Sequence, residues 1–331
     1  MKKFFLMTSF CLGLCGCETA KETSAVVPEN KPTENAPIVY FTEEITPESL
    51  VKIYEALGKV AKGRVAVKIS TGEFGGHNYL KPELIKELVT SVKGTLVECN
   101  AAYPGKRDTT EAHLKTVAAH GFDKIAKVDI MDAEGEIKIP LKDTKHLKYD
   151  LVGKNLQNYD FMINLAHFKG HAMGGFGGVL KNQSIGVASA NGKAYIHSAG
   201  KKETPDGLWG MVGSVPQDSF LEAMAAAAQG VHEYFKGENI VYINVMNNMS
   251  VDCDCDSNPD KPKIKDIGIL ASLDPVACDQ AALDLVFSHK DSPSDDAKPL
   301  QERINRQHGT YITDYAEKIG LGSKKYTLKK L

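Results

Sequence analysis

Two histidines, two lysines and five glycines stand close together in the segment 167–181, directly after a predicted strand. His167 and His171 are suited to bind a metal ion or transfer protons. Lys169 and Lys181 can bind a carboxylate or a phosphate, or form a covalent adduct with a carbonyl group. Glycine lets the backbone approach a ligand, and the start of a following helix offers N–H groups to an anion. We predict catalytic roles for His167, His171 and Lys181 and substrate binding for Lys169; a structural turn is the alternative.

A second segment, 252–256, alternates three aspartates with two cysteines. In an extended chain the thiols of Cys253 and Cys255 lie on one face and the carboxylates on the other. Two thiolates suit a soft metal or an iron–sulfur cluster but do not fill a tetrahedral shell, so the glycine-rich loop, His197 and Cys99 are candidates for further ligands. We predict Cys253 and Cys255 as metal ligands. The alternatives are a hard cation on the carboxylate face and a surface turn with redox-labile thiols.

Two more loops follow predicted strands and carry residues suited to contact a substrate. The segment 71–79 contains His77, and the segment 100–109 contains Tyr103 and Arg107. An arginine near a helix start suits bidentate binding of a carboxylate. We predict substrate binding for His77, Tyr103 and Arg107, with ordinary connecting loops as the alternative.

The elements that must position these loops follow an alternating pattern of short β-branched runs and amphipathic stretches, which is typical of βα units. The predicted strands are 38–41, 64–69, 95–99, 127–131, 161–166 and 240–245. The predicted helices are 47–57, 82–92, 109–120, 179–187, 217–235 and a helix from Pro275 to residue 286 with Asp274 as its N-cap. The pattern predicts an α/β fold with a mostly parallel or mixed sheet flanked by helices, whose ligands bind beyond the carboxyl ends of the strands.

The first 36 residues have the pattern of a targeting segment and a tether, which we expect to lie outside the folded domain. Positive charge at residues 1–3 precedes an apolar run, 4–14, that is too short to span a bilayer. The end of this run is similar to a bacterial lipobox, which predicts a signal peptide at 1–16, lipidation of Cys17 and a disordered tether at 17–36. We therefore expect one α/β domain at 37–331, outside the cytoplasm in the bacterial cell envelope, held at a membrane by the lipid anchor alone.

Composition excludes several classes of function. Of 331 residues, 42% are hydrophobic and 25% charged, which excludes disorder throughout. Forty basic against 42 acidic residues give a formal charge of −2, so we expect no nucleic-acid partner. Seven cysteines in this length do not make a disulfide scaffold. No Cys-x-x-Cys run is present, so the sequence predicts no ferredoxin-type cluster.

Three motifs together resemble the domain-of-unknown-function 362 family, whose members are often described as uncharacterised Fe–S center proteins. They are VLKN at 179–182, DCDC at 252–255 and DIGILASLDPVA at 266–277. The resemblance covers roughly 37–325 and implies an α/β fold. Many relatives carry a cysteine-rich ferredoxin-like insert near residues 196–201, which this chain lacks. The loop at 167–181 is also similar, over a short stretch, to the active-site loop of nickel-dependent lactate racemases, which indicates where the site lies.

These features favour a metal-dependent enzyme or metal-binding protein that acts on a small anionic molecule, with a transition metal or an iron–sulfur cluster as its cofactor. The alternative is a non-catalytic metal, iron–sulfur or redox relay protein that uses Cys253 and Cys255. A third hypothesis is an envelope scaffold whose loops contact other proteins.

Overall fold

The structure is a computed structural model that describes residues 35–331. The predicted signal peptide, the lipidation at Cys17 and the tether up to residue 34 lie outside these residues. Within them the chain forms twelve β-strands and ten α-helices. The strands are β1 (Ile38–Thr42), β2 (Val65–Lys68), β3 (Thr95–Glu98), β4 (Val128–Ile130), β5 (Glu136–Ile139), β6 (Asp150–Gly153), β7 (Phe161–His167), β8 (Lys169–His171), β9 (Gly175–Gly177), β10 (Ile240–Met246), β11 (Gly268–Ser272) and β12 (Thr327–Lys330). The helices are α1 (Pro47–Ala56), α2 (Pro82–Ser91), α3 (Thr110–His120), α4 (Val179–Ser184), α5 (Ala190–His197), α6 (Leu208–Met211), α7 (Gln217–Tyr234), α8 (Pro275–Phe287), α9 (Lys298–Arg306) and α10 (Tyr311–Lys318).

Eight of the strands form one sheet in the order β12-β1-β11-β10-β7-β2-β3-β4. The five strands from β10 to β4 in this order run parallel to one another. Strand β11 runs antiparallel to both of its neighbours, and β12 runs parallel to β1. The other four strands form two hairpins, β5 with β6 and β8 with β9. The predicted α/β fold with a mostly parallel, mixed sheet is confirmed.

Helices cover both faces of the sheet, so the chain buries two hydrophobic cores. Strands β7 and β10 are buried along their whole length, as expected for parallel strands with helices on each side. On one face α1 and α2 pack through residues such as Ile53 and Ile85. On the other face the alanine-rich α7 and α8 both pack against α4 and bury residues such as Ala225 and Ala281 in the second core. The result is a three-layer arrangement with the sheet in the middle.

The predicted elements agree with the structure at most positions. All six predicted strands form, as β1, β2, β3, β4, β7 and β10, with bounds within one residue at each end. The helix after Asp274 forms as α8, and Asp274 Oδ1 caps it by accepting the N–H groups of Val276 and Ala277 at 2.8 and 2.9 Å. The helix predicted at 179–187 is shorter, because α4 ends at Ser184.

The order of the strands determines where a ligand can enter. From β2 the chain continues outward to β3 and β4, whereas β7 returns to the opposite side of β2. The loops that follow β2 and β7 therefore diverge and leave a crevice at the carboxyl end of the sheet. Open α/β sheets bind their ligands at such a switch point.

Candidate functional site

A cavity of about 320 Å³ lies at this switch point. Its wall includes Lys68 at the end of β2, Glu98 at the end of β3 and His167 at the end of β7. Cys253 and Cys255, in the loop after β10, complete this side of the wall. Residues at or just after the carboxyl ends of four parallel strands thus line one cavity, although they are far apart in the sequence.

The glycine-rich loop is a short antiparallel hairpin formed by β8 and β9. Because side chains alternate along a strand, Lys169 and His171 lie on one side of β8, and both line the cavity. Gly170 between them packs against the backbone of the cysteine segment, where a Cβ atom would lie 2.1 Å from the carbonyl oxygen of Val251. Only glycine permits this contact, which brings the hairpin and the cysteines together.

Three potential metal ligands meet where the hairpin and the cysteine segment touch. The ligand atoms of His171, Cys253 and Cys255 all lie within 4.8 Å of one another. Among residues 35–331 no other group of three or more His, Cys, Asp or Glu side chains meets this condition. His197 and Cys99, the further ligands considered from the sequence, line the cavity outside this group.

The two thiols of this group differ in protonation. Cys255 donates a hydrogen bond to Cys253, and this bond, with the nearby Lys181 and His171, lowers the pKa of Cys253 well below its ordinary value despite burial. The same interaction raises the pKa of Cys255. Lys181 Nζ lies 3.7 Å from Cys253 Sγ. These contacts favour the thiolate form at Cys253, the form in which cysteine binds metals and attacks electrophiles.

Backbone hydrogen bonds fix the tautomer of His171. The N–H groups of Met173 and Gly174 donate to His171 Nδ1 at 3.3 and 2.8 Å, so Nδ1 carries no proton. Burial lowers the pKa of His171, so the ring is neutral and its proton resides on Nε2. The ring also hydrogen-bonds Cys253, and the proton on Nε2 supplies this bond.

His167 has partners at both ring nitrogens. Its Nε2 donates to the carbonyl oxygen of Asn247 at 2.6 Å, and its Nδ1 lies 2.9 Å from Asp254 Oδ1. Both partners can accept a hydrogen bond, so each ring nitrogen is directed at an acceptor. Lys169 Nζ lies 2.7 Å from the other oxygen of Asp254. Burial opposes ionisation of Asp254, but the two cations outweigh it and lower the pKa of Asp254 to about 2.

A second buried ion-pair group occupies the other side of the cavity. Arg107 contacts Glu98 at 3.2 Å and Glu73 at 3.6 Å, and it donates to the Tyr103 hydroxyl at 2.8 Å. His113 Nε2 lies 3.0 Å from Glu98 Oε2. Although burial opposes it, the Arg107 guanidinium and the hydrogen bond from His113 hold the pKa of Glu98 well below its usual range. The guanidinium of Arg107 is therefore neutralised by the protein's own carboxylates.

Three other lysines on the cavity wall have no carboxylate partner. Lys68, Lys181 and Lys193 line the cavity, and none forms an ion pair with a carboxylate within 4.0 Å among the described residues. Burial lowers the pKa of Lys68 to about 7 and also lowers the pKa of Lys193. The cavity therefore holds amines that no protein carboxylate contacts, and a bound anion would favour their charged form.

His197 adds a neutral imidazole to the same wall. Its Nδ1 donates to the carbonyl oxygen of Lys193 at 2.7 Å, and the ring stacks on Phe220 with centroids 5.0 Å apart. Burial lowers the pKa of His197 to about 3, so the ring stays neutral and Nε2 keeps its lone pair. Trp209 packs against this ring by its edge and closes the cavity beside Tyr103.

The start of α4 does not serve as the anion site that the sequence indicated. Asp279 of α8 accepts the N–H groups of Val179 and Leu180 at 2.8 and 3.0 Å. Gly178 allows this approach, because a Cβ atom there would lie 2.2 Å from Asp279 Oδ1. The free N–H groups expected for a ligand are occupied by a protein carboxylate, which instead fixes α4 and its Lys181 side chain at the cavity.

The structure brings together eight of the nine residues that were predicted for catalysis, substrate binding or metal binding. Lining the cavity are His167, Lys169, His171, Lys181, Tyr103, Arg107, Cys253 and Cys255. His77 is exposed outside the cavity, and its carbonyl oxygen accepts a hydrogen bond from Lys81. The 71–79 loop contributes Glu73 instead, through its contact with Arg107.

Sequence reasoning did not find Lys68, Glu98 or Lys193. Lys68 and Glu98 end buried strands, where a charged residue in an otherwise apolar run is itself a signal. Lys193 lies in α5, whose sequence gives no comparable sign that its lysine is buried.

The fold and the site define an α/β protein with a lysine-lined cavity that contains two free cysteines at the carboxyl end of a mostly parallel sheet. The family model described as "Domain of unknown function (DUF362)" matches residues 65–284. The chain belongs to this family, as its motifs indicated. No curated protein matches the sequence.

Two solved structures resemble parts of the chain. The lactate racemase apoprotein from Thermoanaerobacterium thermosaccharolyticum is 16% identical with a TM-score of 0.36, and the match covers 63% of this chain and 50% of that one. A protein from Thermotoga maritima, solved by a structural genomics consortium, is 15% identical with a TM-score of 0.40, over 73% of this chain and 59% of that one. The match therefore spans between half and three fifths of these relatives.

Proposed function

We propose that this protein is a metal-dependent enzyme or metal-binding protein that acts on a small anionic molecule. One observation carries the proposal: a group of soft metal ligands and three lysines without carboxylate partners open onto the same cavity. The ligand group is His171, Cys253 and Cys255. The lysines are Lys68, Lys181 and Lys193.

The donor set fits a transition metal. Two cysteine sulfurs and an imidazole suit zinc, copper(I), nickel or iron better than magnesium or calcium. All three residues line the cavity, so a ligand can complete the shell from that side. His171 is already neutral, so only the Cys255 thiol must lose its proton when a metal binds, and uptake releases that proton. When bound, such a metal supplies Lewis-acid or redox chemistry.

The buried ion pair of Asp254 positions the two cysteines. Asp254 lies between Cys253 and Cys255 in the sequence, and His167 and Lys169 hold its two oxygens. Its carbonyl oxygen also accepts the Glu73 N–H at 2.7 Å. These contacts fix the backbone on which both thiols stand. His167 therefore acts as a positioning residue in this proposal, since neither ring nitrogen is free to accept a proton.

Elemental analysis of the full-length chain, purified without oxygen, tests the metal site. The wild type is compared with a Cys253→Ser/Cys255→Ser variant and with Cys99→Ser, a matched control that alters another cavity-lining thiol. We expect a transition metal in the wild type and in Cys99→Ser and its loss in the double variant. Equal, near-zero metal in all three proteins refutes a metal-dependent function.

Calorimetric titration with oxalate and inorganic phosphate tests the anion site. Lys181→Gln is expected to weaken binding, because the cavity loses a cation that no protein carboxylate neutralises. Lys201→Gln removes an exposed lysine outside the cavity wall and serves as the control. If the wild type binds neither anion, or if Lys201→Gln weakens binding as much as Lys181→Gln, the lysines do not form an anion site.

A thiol-based redox relay is the second candidate. The observation that favours it is the hydrogen bond between a free Cys255 thiol and a free Cys253 thiolate. Such a pair can cycle between dithiol and disulfide. Thiol counts on the full-length chain, before and after mild oxidation, would show reversible loss of both thiols if this candidate is correct and no change if it is wrong.

We further propose that the protein is lipid-anchored at Cys17 in a bacterial cell envelope. The charged and apolar pattern of residues 1–17 supports this proposal. Within residues 35–331, no helix is long and apolar enough to cross a membrane. Metabolic labelling with a fatty acid should mark the wild type and leave a Cys17→Ala variant unlabelled; equal labelling of the two would refute the anchor.

A further inference from the structure

Lys68 is the most deeply buried of the cavity lysines. It ends β2, the central strand at the switch point, and its side chain is 1% exposed. No carboxylate lies within 4.0 Å of it among the described residues. Gly186 makes room for the amine, since a Cβ atom there would lie 2.6 Å from Lys68 Nζ. Neither the metal ligands nor the buried ion pairs involve Lys68.

The surroundings of the amine provide two hydrogen-bond acceptors. Lys68 Nζ donates to the carbonyl oxygen of Ile69 at 2.5 Å and to Asn182 Oδ1 at 3.1 Å. An ammonium group has three hydrogens and needs three acceptors, whereas a neutral amine has two. Among the described residues the amine thus has two acceptors, the number that a neutral amine needs, and the side chain also lines the cavity.

The orientation of Asn182 is fixed independently of Lys68 Nζ. Its amide nitrogen donates to the carbonyl oxygen of Lys68 at 3.0 Å and to Asn164 Oδ1 at 2.7 Å. Asn164 is held in turn, because its own amide donates to Val179 O and Gln183 Oε1. Asn182 Oδ1 must therefore face the amine as an acceptor, and the amine donates one hydrogen bond to it.

The remaining surroundings of Lys68 favour an anionic partner. Lys193 and Lys181 both contribute positive charge at Lys68, and together with burial they oppose its protonation, while Glu98 and Cys99 act in the opposite sense. Buried lysines beside other cations are the amines that form Schiff bases with carbonyl compounds. The volume of about 320 Å³ lies at the lower end of the range for small-molecule sites.

We propose that Lys68 is a nucleophilic amine that forms an imine with a small anionic carbonyl compound bound in the cavity, the anionic group lying against Lys181 and Lys193. This inference rests on the proposed function and narrows its substrate class. The Lys68 nitrogen forms a bond to the carbonyl carbon, the carbon–oxygen bond breaks, and the oxygen leaves as water with the two amine protons. No oxidant or reductant is consumed.

Reductive trapping on the full-length protein tests the proposal. The protein is incubated with pyruvate or with glycolaldehyde phosphate, treated with sodium borohydride, digested and mapped by mass spectrometry. We expect a reduced adduct at Lys68 that exceeds labelling of the exposed Lys201 at least about tenfold. Because mapping uses the wild type, the result does not depend on whether Lys68→Arg folds. Where that variant folds by circular dichroism, it should lose the adduct.

The carbonyl compound that reacts and the lysine that carries the adduct distinguish the possible outcomes. An adduct at Lys68 with pyruvate assigns a carboxylate-bearing substrate, and one with glycolaldehyde phosphate alone assigns a phosphate; either supports the proposal. Adducts confined to exposed lysines, or found at Lys193 or Lys181 in place of Lys68, overturn it. Oxalate binding without any adduct also overturns it and leaves the proposed function standing. Absence of both metal and oxalate binding refutes the proposed function whatever the trapping shows.

Discussion

Asp150 should make the protein less stable as the pH rises, and replacing it with asparagine should remove that effect. The side chain is fully buried in β6, and neither carboxyl oxygen accepts a hydrogen bond of ordinary geometry within the described part of the chain. Burial raises the pKa of Asp150 to about 7, against smaller opposing effects of the Leu151 N–H group and Lys193. Asparagine is a close mimic of the protonated carboxyl group.

The direction and size of the effect follow from this pKa. Between about pH 4 and pH 7 the folded protein holds a proton on Asp150 that the unfolded chain has lost, so the free energy of unfolding falls as the pH rises. A rise from 3.8 to about 7 corresponds to about 4 kcal/mol. The contribution of Asp150 to the free energy of unfolding should therefore fall by about 2 kcal/mol by pH 5.5 and by about 4 kcal/mol above pH 7.

Urea unfolding of the full-length wild type and Asp150→Asn at pH 4, 5.5 and 8 measures the effect. The difference in free energy of unfolding should be small at pH 4 and should grow in favour of Asp150→Asn as the pH rises. The exposed Asp206 offers a matched control, Asp206→Asn, for loss of one carboxylate from the surface. A difference between wild type and Asp150→Asn that stays constant from pH 4 to pH 8 would refute the reasoning.

Three further substitutions or reactions test the site. Asp254→Asn leaves the buried Lys169 without its partner, so we expect a loss of about 3–5 kcal/mol in urea unfolding and weaker metal retention; unchanged values for both would contradict the positioning role. Gly178→Ala forces a Cβ atom against Asp279, so oxalate should bind more weakly by calorimetry; unchanged affinity would show that the α4 cap does not position the lysines. Alkylation of the metal-free protein by iodoacetamide should be nearly pH-independent at Cys253 between pH 6 and 8, since its lowered pKa keeps it a thiolate; a rate that rises tenfold per pH unit would exclude this.

The sequence was sufficient to predict the fold because the apolar pattern of the central strands agrees with their burial in the sheet. Strands β7 and β10 are apolar along their whole length, as central parallel strands require, and their predicted bounds differ from the structure by one residue at most. The same pattern does not encode strand direction. The segment Gly268–Ser272 is equally apolar, yet it enters the sheet as β11, antiparallel to β10, because it follows β10 through a connection that contains no helix.

The positions of the site residues were predictable, whereas their protonation and partners were not. The carboxyl-end rule located Cys253 and Lys181 at one place because both follow parallel strands. The state of His167 depends on Asp254, which is 87 residues away in sequence, so no local pattern indicates that both ring nitrogens are bonded. His77 has the same residue type as His171, but it lies on the outer part of its loop.

The cations of the cavity divide into two sets, and this division indicates where a ligand's charge lies. Lys169 and Arg107 are neutralised by Asp254, Glu98 and Glu73, so they hold the walls together and contribute little net attraction. Lys68, Lys181 and Lys193 have no such partner, and they lie at the end of β2, in α4 and in α5. In our proposal an anion bound against Lys181 and Lys193 presents its carbonyl carbon to the Lys68 amine, and all three side chains line the same cavity. The cavity thus combines residues that are spread over more than a hundred positions of the sequence.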